Sequence, residues 1–211
     1  MNCRPFLCLA SLLAVNLASA QFVAYKYPKV TGNQAYGGAL GMDFDVIVPI
    51  KITALGIFDS AQDGIKNNID CILYNRDTKA AVASKAFSPS NMGIGDGSSN
   101  FLDLATPVYL PAGFHATIVA QGYGILERNG NSFNPSSTYA TSLETGGGLI
   151  QFTGKSRNGA FGTFPTTIDF NVAQYGAGNF KFVSALPPVP EPTTLLVLTP
   201  ALFLIRKRRR A

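Results

Sequence analysis

The sequence predicts an all-β protein, a single β-sandwich of jelly-roll or immunoglobulin-like type, with a hydrophobic helix at each end of the chain. Two observations favour this fold. The apolar residues of the central region occur in short runs that Gly, Asn, Asp and Pro interrupt, as in strands joined by turns. Outside the two ends, no stretch repeats its apolar residues every 3.6 positions, as an amphipathic helix would.

Nine strands are expected in one domain that covers residues 21–183. In the first strand, Phe44, Val46 and Val48 alternate with polar or smaller residues and share one face. About nine strands in roughly 165 residues are enough for one sandwich core. The strands are expected at residues 43–49, 52–58, 70–75, 82–87, 101–105, 114–123, 149–154, 168–172 and 180–183.

The N-terminal end has the three parts of a secretory signal peptide. Arg4 precedes an apolar stretch from Phe6 to Leu17, and Ala18 and Ala20 follow in a small-x-small pattern. This order predicts that signal peptidase removes residues before Gln21. Residues 1–20 are therefore a targeting segment, and the apolar stretch is too short to favour a first transmembrane helix.

The C-terminal end predicts a membrane segment with a cytoplasmic basic tail. Residues 193–205 carry no charge and are mostly apolar. As a helix they would rise about 20 Å, against a hydrocarbon core of roughly 30 Å. Positive charge beside an apolar segment favours the cytoplasmic side. The basic residues are Arg206, Lys207, Arg208, Arg209 and Arg210.

Charge counts argue against a nucleic-acid partner. The chain has 17 Lys plus Arg and 12 Asp plus Glu. Arg4, residues 206–210 and Glu191 fall in the terminal segments, so the body, residues 22–187, keeps eleven charges of each sign. The basic excess belongs to the ends, and the body lacks the basic surface that nucleic-acid binding needs.

Together, the signal peptide, the exported body and the tail resemble the PEP-CTERM class of bacterial exported proteins. In that class, exosortase, a membrane protease-transpeptidase, recognises the tail. The resemblance implies that Pro190, Glu191 and Pro192 are the sorting motif and that residues 206–210 are a retention signal. It also implies anchoring in the inner membrane before processing, and then release to the cell surface or the extracellular space.

Residues 184–192 are rich in proline and are expected to form an extended linker that carries the motif. Within the body, residues 32–60 and 109–131 resemble uncharacterised extracellular sandwich domains with an "LGIFD"-like strand and an "LPAG" turn. This second resemblance implies a fold and no particular activity.

Residues that could carry catalysis are scarce. His115 is the single histidine of the chain, and alternation places it on one face of a strand. Cys3 and Cys8 lie in the signal peptide, which leaves Cys71 as a small buried residue without a disulfide partner. The motifs GxSxG and HExxH and a phosphate-binding loop are absent from the sequence. We therefore expect that the protein is not an enzyme.

One loop offers oxygen ligands for a structural calcium ion. Asp59, Asp63, Asn67 and Asp70 lie between two expected strands, and hard oxygen ligands suit calcium. Their spacing does not match an EF-hand, and an ordinary polar turn in which the side chains cap backbone groups is the alternative. No other cofactor is expected.

A carbohydrate site would use aromatic rings as stacking platforms, together with amides. Tyr123, Phe133 and Tyr139 are the candidate rings, and the chain contains no tryptophan.

We expect a structural protein of the cell surface or biofilm matrix, sorted through its tail. The alternative is a module that binds exopolysaccharide.

Overall fold

The computed structural model describes residues 20–27, 31–132, 142–169 and 175–187. Within these ranges the chain consists of antiparallel strands and one short 3-10 turn, Ser60–Gln62, without an α-helix. Ala20–Leu186 forms one structural unit.

Five strands form the first sheet. They are β1 (Gln21–Val23), β4 (Ile50–Phe58), β7 (Ile94–Asp96), β8 (Ser99–Leu110) and β15 (Gly178–Ser184). Their order in the sheet is β1-β15-β4-β8-β7. Every neighbouring pair is antiparallel.

Six strands form the second sheet. They are β3 (Ala39–Val46), β5 (Ile69–Asn75), β6 (Ala81–Phe87), β9 (His115–Gln121), β12 (Ile150–Gly159) and β13 (Thr167–Asp169). Their order is β13-β12-β3-β9-β5-β6, so β3 and β9 lie at the centre. Two small ladders complete the fold: β2 (Tyr25–Lys26) pairs with β11 (Ser142–Leu143), and β10 (Gly130–Asn131) pairs with β14 (Tyr175–Gly176).

The two sheets pack face to face around an aromatic core. Phe44 of β3 and Phe180 of β15 belong to different sheets, yet their rings stack with centroids 4.7 Å apart. Both are fully buried, as are Phe182, Ile52 and Ile118. Burial of these alternating side chains holds the layers together. The expected all-β sandwich is confirmed.

Each of the nine expected strands overlaps a strand of the structure, although several bounds differ. Strand β8 is more than twice as long as expected, because it begins at Ser99 and continues through Thr106 and Pro107 to Leu110. The first expected strand ends before Pro49, which cannot donate a ladder hydrogen bond. The short strands β1, β2, β7, β10, β11 and β14 were not expected from the sequence.

The terminal predictions fall mainly outside the described residues. Ala18, the apolar segment 193–205, the sorting motif 190–192 and the basic residues 206–210 all lie there. Gln21, the expected first residue after signal cleavage, begins β1. In the part of the chain that the structure describes, no helix has the length and apolar character needed to cross a membrane.

A buried amide joins the first residues of the domain to the five-stranded sheet. Asn179 is fully buried, and its Oδ1 accepts hydrogen bonds from the backbone N–H groups of Tyr25 (3.0 Å) and Phe180 (2.9 Å). Its Nδ2 donates to the carbonyl of Tyr25 (2.8 Å) and to Oγ of Ser99 (3.1 Å). One side chain thus satisfies both backbone groups of Tyr25.

We expect Asn179→Ala to lower the free energy of unfolding by about 2–4 kcal/mol, because it leaves the buried backbone groups of Tyr25 without partners. Urea denaturation measures this loss. Asn91→Ala is the control, since the side chain of the exposed Asn91 donates a hydrogen bond to the Ala86 carbonyl and is not buried. Equal stability losses in the two variants would contradict the role of Asn179.

Candidate functional site

The aromatic residues expected to bind sugar do not form a platform in the described structure. Tyr123 is only 2% exposed. Its hydroxyl donates to the carbonyls of Phe58 and Ala177 and accepts from the N–H of Phe58. Tyr123 is therefore a core residue, and its assignment as a stacking ring is wrong. Phe133 and Tyr139 lie outside the described residues.

The four residues expected to bind calcium point to different partners. Asp59 is buried, whereas Asp63 is exposed and pairs with Lys66 at 2.5 Å. Asn67 lies beside the Gly122 carbonyl. Asp70 lies in β5 and accepts a hydrogen bond from Gln121 of β9. Among the described residues, no group of three or more His, Cys, Asp or Glu side chains could hold a metal ion.

His115 and Cys71 occupy the positions that strand alternation indicated. His115 lies on the outer face of its sheet, with Nδ1 3.2 Å from Oδ1 of Asp77. Cys71 is fully buried in the core, and burial raises the pKa of its thiol to about 12. A thiol with so high a pKa is protonated at neutral pH and is a poor nucleophile.

The outer face of the six-stranded sheet gathers a charged cluster at its centre. We call it the outer-face cluster. Strand β12 supplies a guanidinium, β3 two carboxylates and β9 a hydroxyl, and a second guanidinium follows β5. Its members are Asp43, Asp45, Arg76, Thr117 and Arg157.

Asp43 is the buried centre of this cluster and is only 2% exposed. Nε of Arg157 donates to Oδ1 at 2.7 Å and lies 2.9 Å from Oδ2. The hydroxyl of Thr117 donates to Oδ1 at 2.6 Å. A Cβ at Gly41 would lie 2.9 Å from Cγ2 of Thr117, so glycine leaves room for this arrangement. These partners compensate the burial of the Asp43 charge.

Arg76 links the buried carboxylate to an exposed part of the face. Its Nη2 donates to Oδ1 of Asp45 at 2.5 Å, and Nη1 lies 3.8 Å from Oδ2 of Asp43. Nη1 is buried and has no hydrogen-bond acceptor among the described residues. Asp45 is partly exposed. The face therefore presents a carboxylate beside a guanidinium. In ligand sites, a few polar side chains placed in this way fix the orientation of the ligand.

A loop between β12 and β13 covers one side of this face and presents an aromatic ring. The N–H of Gly162 donates to Oε1 of Gln121 on β9 at 2.8 Å, which fixes the loop on the sheet. Gly162 has φ of +80°, a conformation that favours glycine. Next to it, Phe161 is 59% exposed. Phe164 packs inward, with the Arg157 guanidinium 5.2 Å from its ring centroid.

Sequence reasoning missed this arrangement, although signals for it existed. Asp43 and Asp45 alternate with apolar residues and so had to share the outer face. The stretch 159–164, GAFGTF, places Phe161 between two glycines and a second aromatic residue, Phe164, shortly after them. Tyr109 on β8 is a second exposed aromatic residue, at 56%, and it belongs to the opposite sheet.

A second cluster lies in the loops at one end of the sandwich and contains two buried carboxyl groups. Glu127 is fully buried, and its two oxygens accept hydrogen bonds from the N–H groups of Ser60 (2.7 Å) and Lys66 (3.0 Å). Oδ2 of Asp59 accepts from the N–H of Gly64, whereas Oδ1 is buried and has no hydrogen-bond partner within the described part of the chain. Glu127 thus ties together the two sides of the loop.

Burial raises the pKa of Glu127 to about 7, although its two N–H donors favour the charged form. The nearby charges of Asp59 and Asp63 raise it further. Burial also raises the pKa of Asp59. The loop that Glu127 holds contains two consecutive residues with positive φ, Ala61 (72°) and Gln62 (56°), a conformation that costs energy in residues with side chains.

Comparison with known proteins gives no family, since no family model matches the chain. The chain is similar to curated UDP-GalNAc:beta-1,3-N-acetylgalactosaminyltransferase 2 proteins. The Mus musculus protein is 24% identical over 153 residues, which cover 70% of this chain and 29% of the mouse protein. The Homo sapiens protein is 28% identical over 116 residues, 53% of this chain and 21% of the human protein. The Xenopus laevis protein is 29% identical over 119 residues, which cover 54% of this chain and 22% of the Xenopus laevis protein.

The chain spans less than a third of the length of the curated relatives it matches. These relatives are glycosyltransferases by name. The expectation that the present protein is not an enzyme is therefore wrong, because its similarity to these relatives points toward one. That expectation rested on the scarcity of histidine and cysteine residues and on the absence of the GxSxG, HExxH and phosphate-loop motifs from the sequence.

The raised pKa of Glu127 predicts that the protein loses stability as the pH rises from about 5 to 8. A folded-state pKa near 7, above the ordinary 4.5, means that the folded state binds more protons in this range. The contribution is complete below the unfolded pKa and is lost as the pH rises through 7. The protonated Glu127 carboxyl contributes up to about 3 kcal/mol to the free energy of unfolding at low pH. Urea denaturation at several pH values measures it.

Glu127→Gln should flatten this pH dependence and leave the smaller part that belongs to Asp59. Glu144→Gln is the matched control, because Glu144 accepts a single backbone hydrogen bond in another loop. A Glu127→Gln variant whose stability changes with pH as steeply as the unsubstituted protein would contradict the assignment.

Proposed function

We propose that this protein takes part in glycosyl transfer and that its β-sandwich binds the glycan in that reaction. The observation that carries the proposal is the similarity to N-acetylgalactosaminyltransferases, which covers 70% of this chain in the Mus musculus protein. The names of these relatives describe transfer from UDP-GalNAc. We take from them the class of reaction, a sugar donor activated by a nucleotide and a glycan acceptor.

The outer face of the six-stranded sheet is the surface that best fits a glycan. A sugar ring offers hydroxyl groups to polar side chains and an apolar C–H face to aromatic rings. Asp45 and Arg76 supply the polar groups. Phe161 supplies an exposed ring on the loop that lies on the same face. The burial of Asp43 supports the proposal further, because the polar groups are held in place before a ligand arrives.

The experiment compares two exposed aromatic rings on opposite sheets. Phe161→Ala should weaken binding of an oligosaccharide that ends in N-acetylgalactosamine by roughly tenfold, since the ring stacks on the sugar. Tyr109→Ala, at a residue of similar exposure, should leave the affinity unchanged. Isothermal titration calorimetry on the full chain measures both affinities.

A parallel assay follows UDP release from UDP-GalNAc in the presence of the oligosaccharide. Glycan-dependent UDP release that falls in Phe161→Ala would support a direct part in transfer. Equal losses of affinity in Phe161→Ala and Tyr109→Ala would contradict the assignment to the outer face. If the unsubstituted chain neither binds the glycan nor releases UDP, the proposal fails.

We propose further that the protein works at the cell surface or in the biofilm matrix, where exopolysaccharide would be its glycan. The order of the sorting motif 190–192, the apolar residues 193–205 and the basic residues 206–210 favours this location. The protein recovered from its host should begin at Gln21 and end near Pro192 when the sorting protease is present. Mass spectrometry of the terminal peptides checks this. A chain that ends at Ala211 with and without the protease would contradict processing.

A further inference from the structure

A tight turn at the loop end of the sandwich exposes two neighbouring aliphatic side chains. The N–H of Gly124 donates to the Glu127 carbonyl at 2.8 Å, which closes a four-residue turn. Its two corner residues, Ile125 and Leu126, are 79% and 70% exposed. Such corners usually hold Gly, Asn, Asp, Pro or Ser. Here, two large aliphatic side chains are instead exposed to solvent.

Both ends of the turn are fixed, so the two side chains cannot fold back onto the core. Tyr123 on one side is buried with its hydroxyl bonded to the Phe58 and Ala177 backbone. Glu127 on the other side is held by the N–H groups of Ser60 and Lys66. The exposure of Ile125 and Leu126 is therefore a fixed feature of the fold.

The size of this surface favours lipid over a second protein. A stable protein–protein interface buries about 800 Å² on each partner, and two side chains on a narrow turn provide much less. A lipid surface accepts a small apolar tip and gains free energy from each buried side chain. Arg128 is exposed beside the turn, and its positive charge suits the phosphates of lipid headgroups.

The loop before β7 and the first residue of that strand add apolar residues at the same end of the sandwich. Met92 and Ile94 are both exposed. A Cβ at Gly64 would lie 2.7 Å from Sδ of Met92, which places this loop against the loop that Glu127 holds. Exposed apolar residues thus flank that loop on two sides.

We propose that the turn 124–127 is a lipid-contacting element, in which Ile125 and Leu126 enter the headgroup boundary of a membrane and Arg128 faces its phosphates. The element holds the sandwich on a lipid surface whether or not the outer face binds a glycan. This inference does not depend on the proposed function.

The test uses the absence of tryptophan from the chain, because Ile125→Trp then carries the single tryptophan of the protein. The full chain is reconstituted with phosphatidylcholine vesicles that contain phosphatidylglycerol. We expect the emission of Ile125→Trp to shift to shorter wavelength and to be quenched by lipids with brominated acyl chains. Leu126→Trp is the second probe if the first variant folds poorly. Tyr109→Trp is the matched control and should show neither effect.

The proposal is overturned if Ile125→Trp and Leu126→Trp keep the emission of water-exposed tryptophan on vesicles that carry the protein. It is also overturned if the shift grows with protein concentration and resists brominated lipid, since a second copy of the chain would then cover the turn. Equal quenching in Tyr109→Trp would mean that the tip has no particular contact with lipid.

Discussion

The arrangement of the outer face depends on the burial of one carboxylate, Asp43, at the centre of the six-stranded sheet. A buried charge is tolerated only where its partners compensate the loss of water. Arg157 reaches it from β12, Thr117 from β9 and Arg76 from the end of β5. Loss of one partner of such a pair commonly costs about 3–5 kcal/mol. The same contacts therefore hold four elements in register and position the polar groups of the face.

The loop between β12 and β13 depends on this arrangement. Arg157 binds Asp43 and also lies over the ring of Phe164, which in turn packs edge-on against Tyr74 of β5. Gln121 fixes the same loop through Gly162. Phe161 is thereby exposed on an ordered support. A ring that is already in place loses less entropy on binding a ligand than a freely moving one.

The loop end of the sandwich uses buried carboxyl groups in a different way. Glu127 binds no cation in the described residues and is held by backbone N–H groups. Burial therefore raises the pKa of Glu127, whereas two guanidinium groups surround Asp43. We therefore propose a polar ligand, a glycan, for the outer face and an apolar surface for the loop end. The two proposals thus assign different partners to separate parts of one unit.

The sequence alone was sufficient for the fold class, since alternation and turn residues are local signals, and all nine expected strands overlap real ones. It also placed Cys71 in the core and His115 on a sheet face. It could not place Tyr123, because an aromatic residue at the end of an expected strand fits a core and a ligand site equally well. Only the tertiary structure brought Asp43, Arg76 and Arg157 together, since they are far apart in sequence and meet through the pairing order of β12, β3, β9 and β5. The same holds for Glu127 and the loop at Ser60, because long-range packing determines both their contact and the burial that raises the pKa of Glu127.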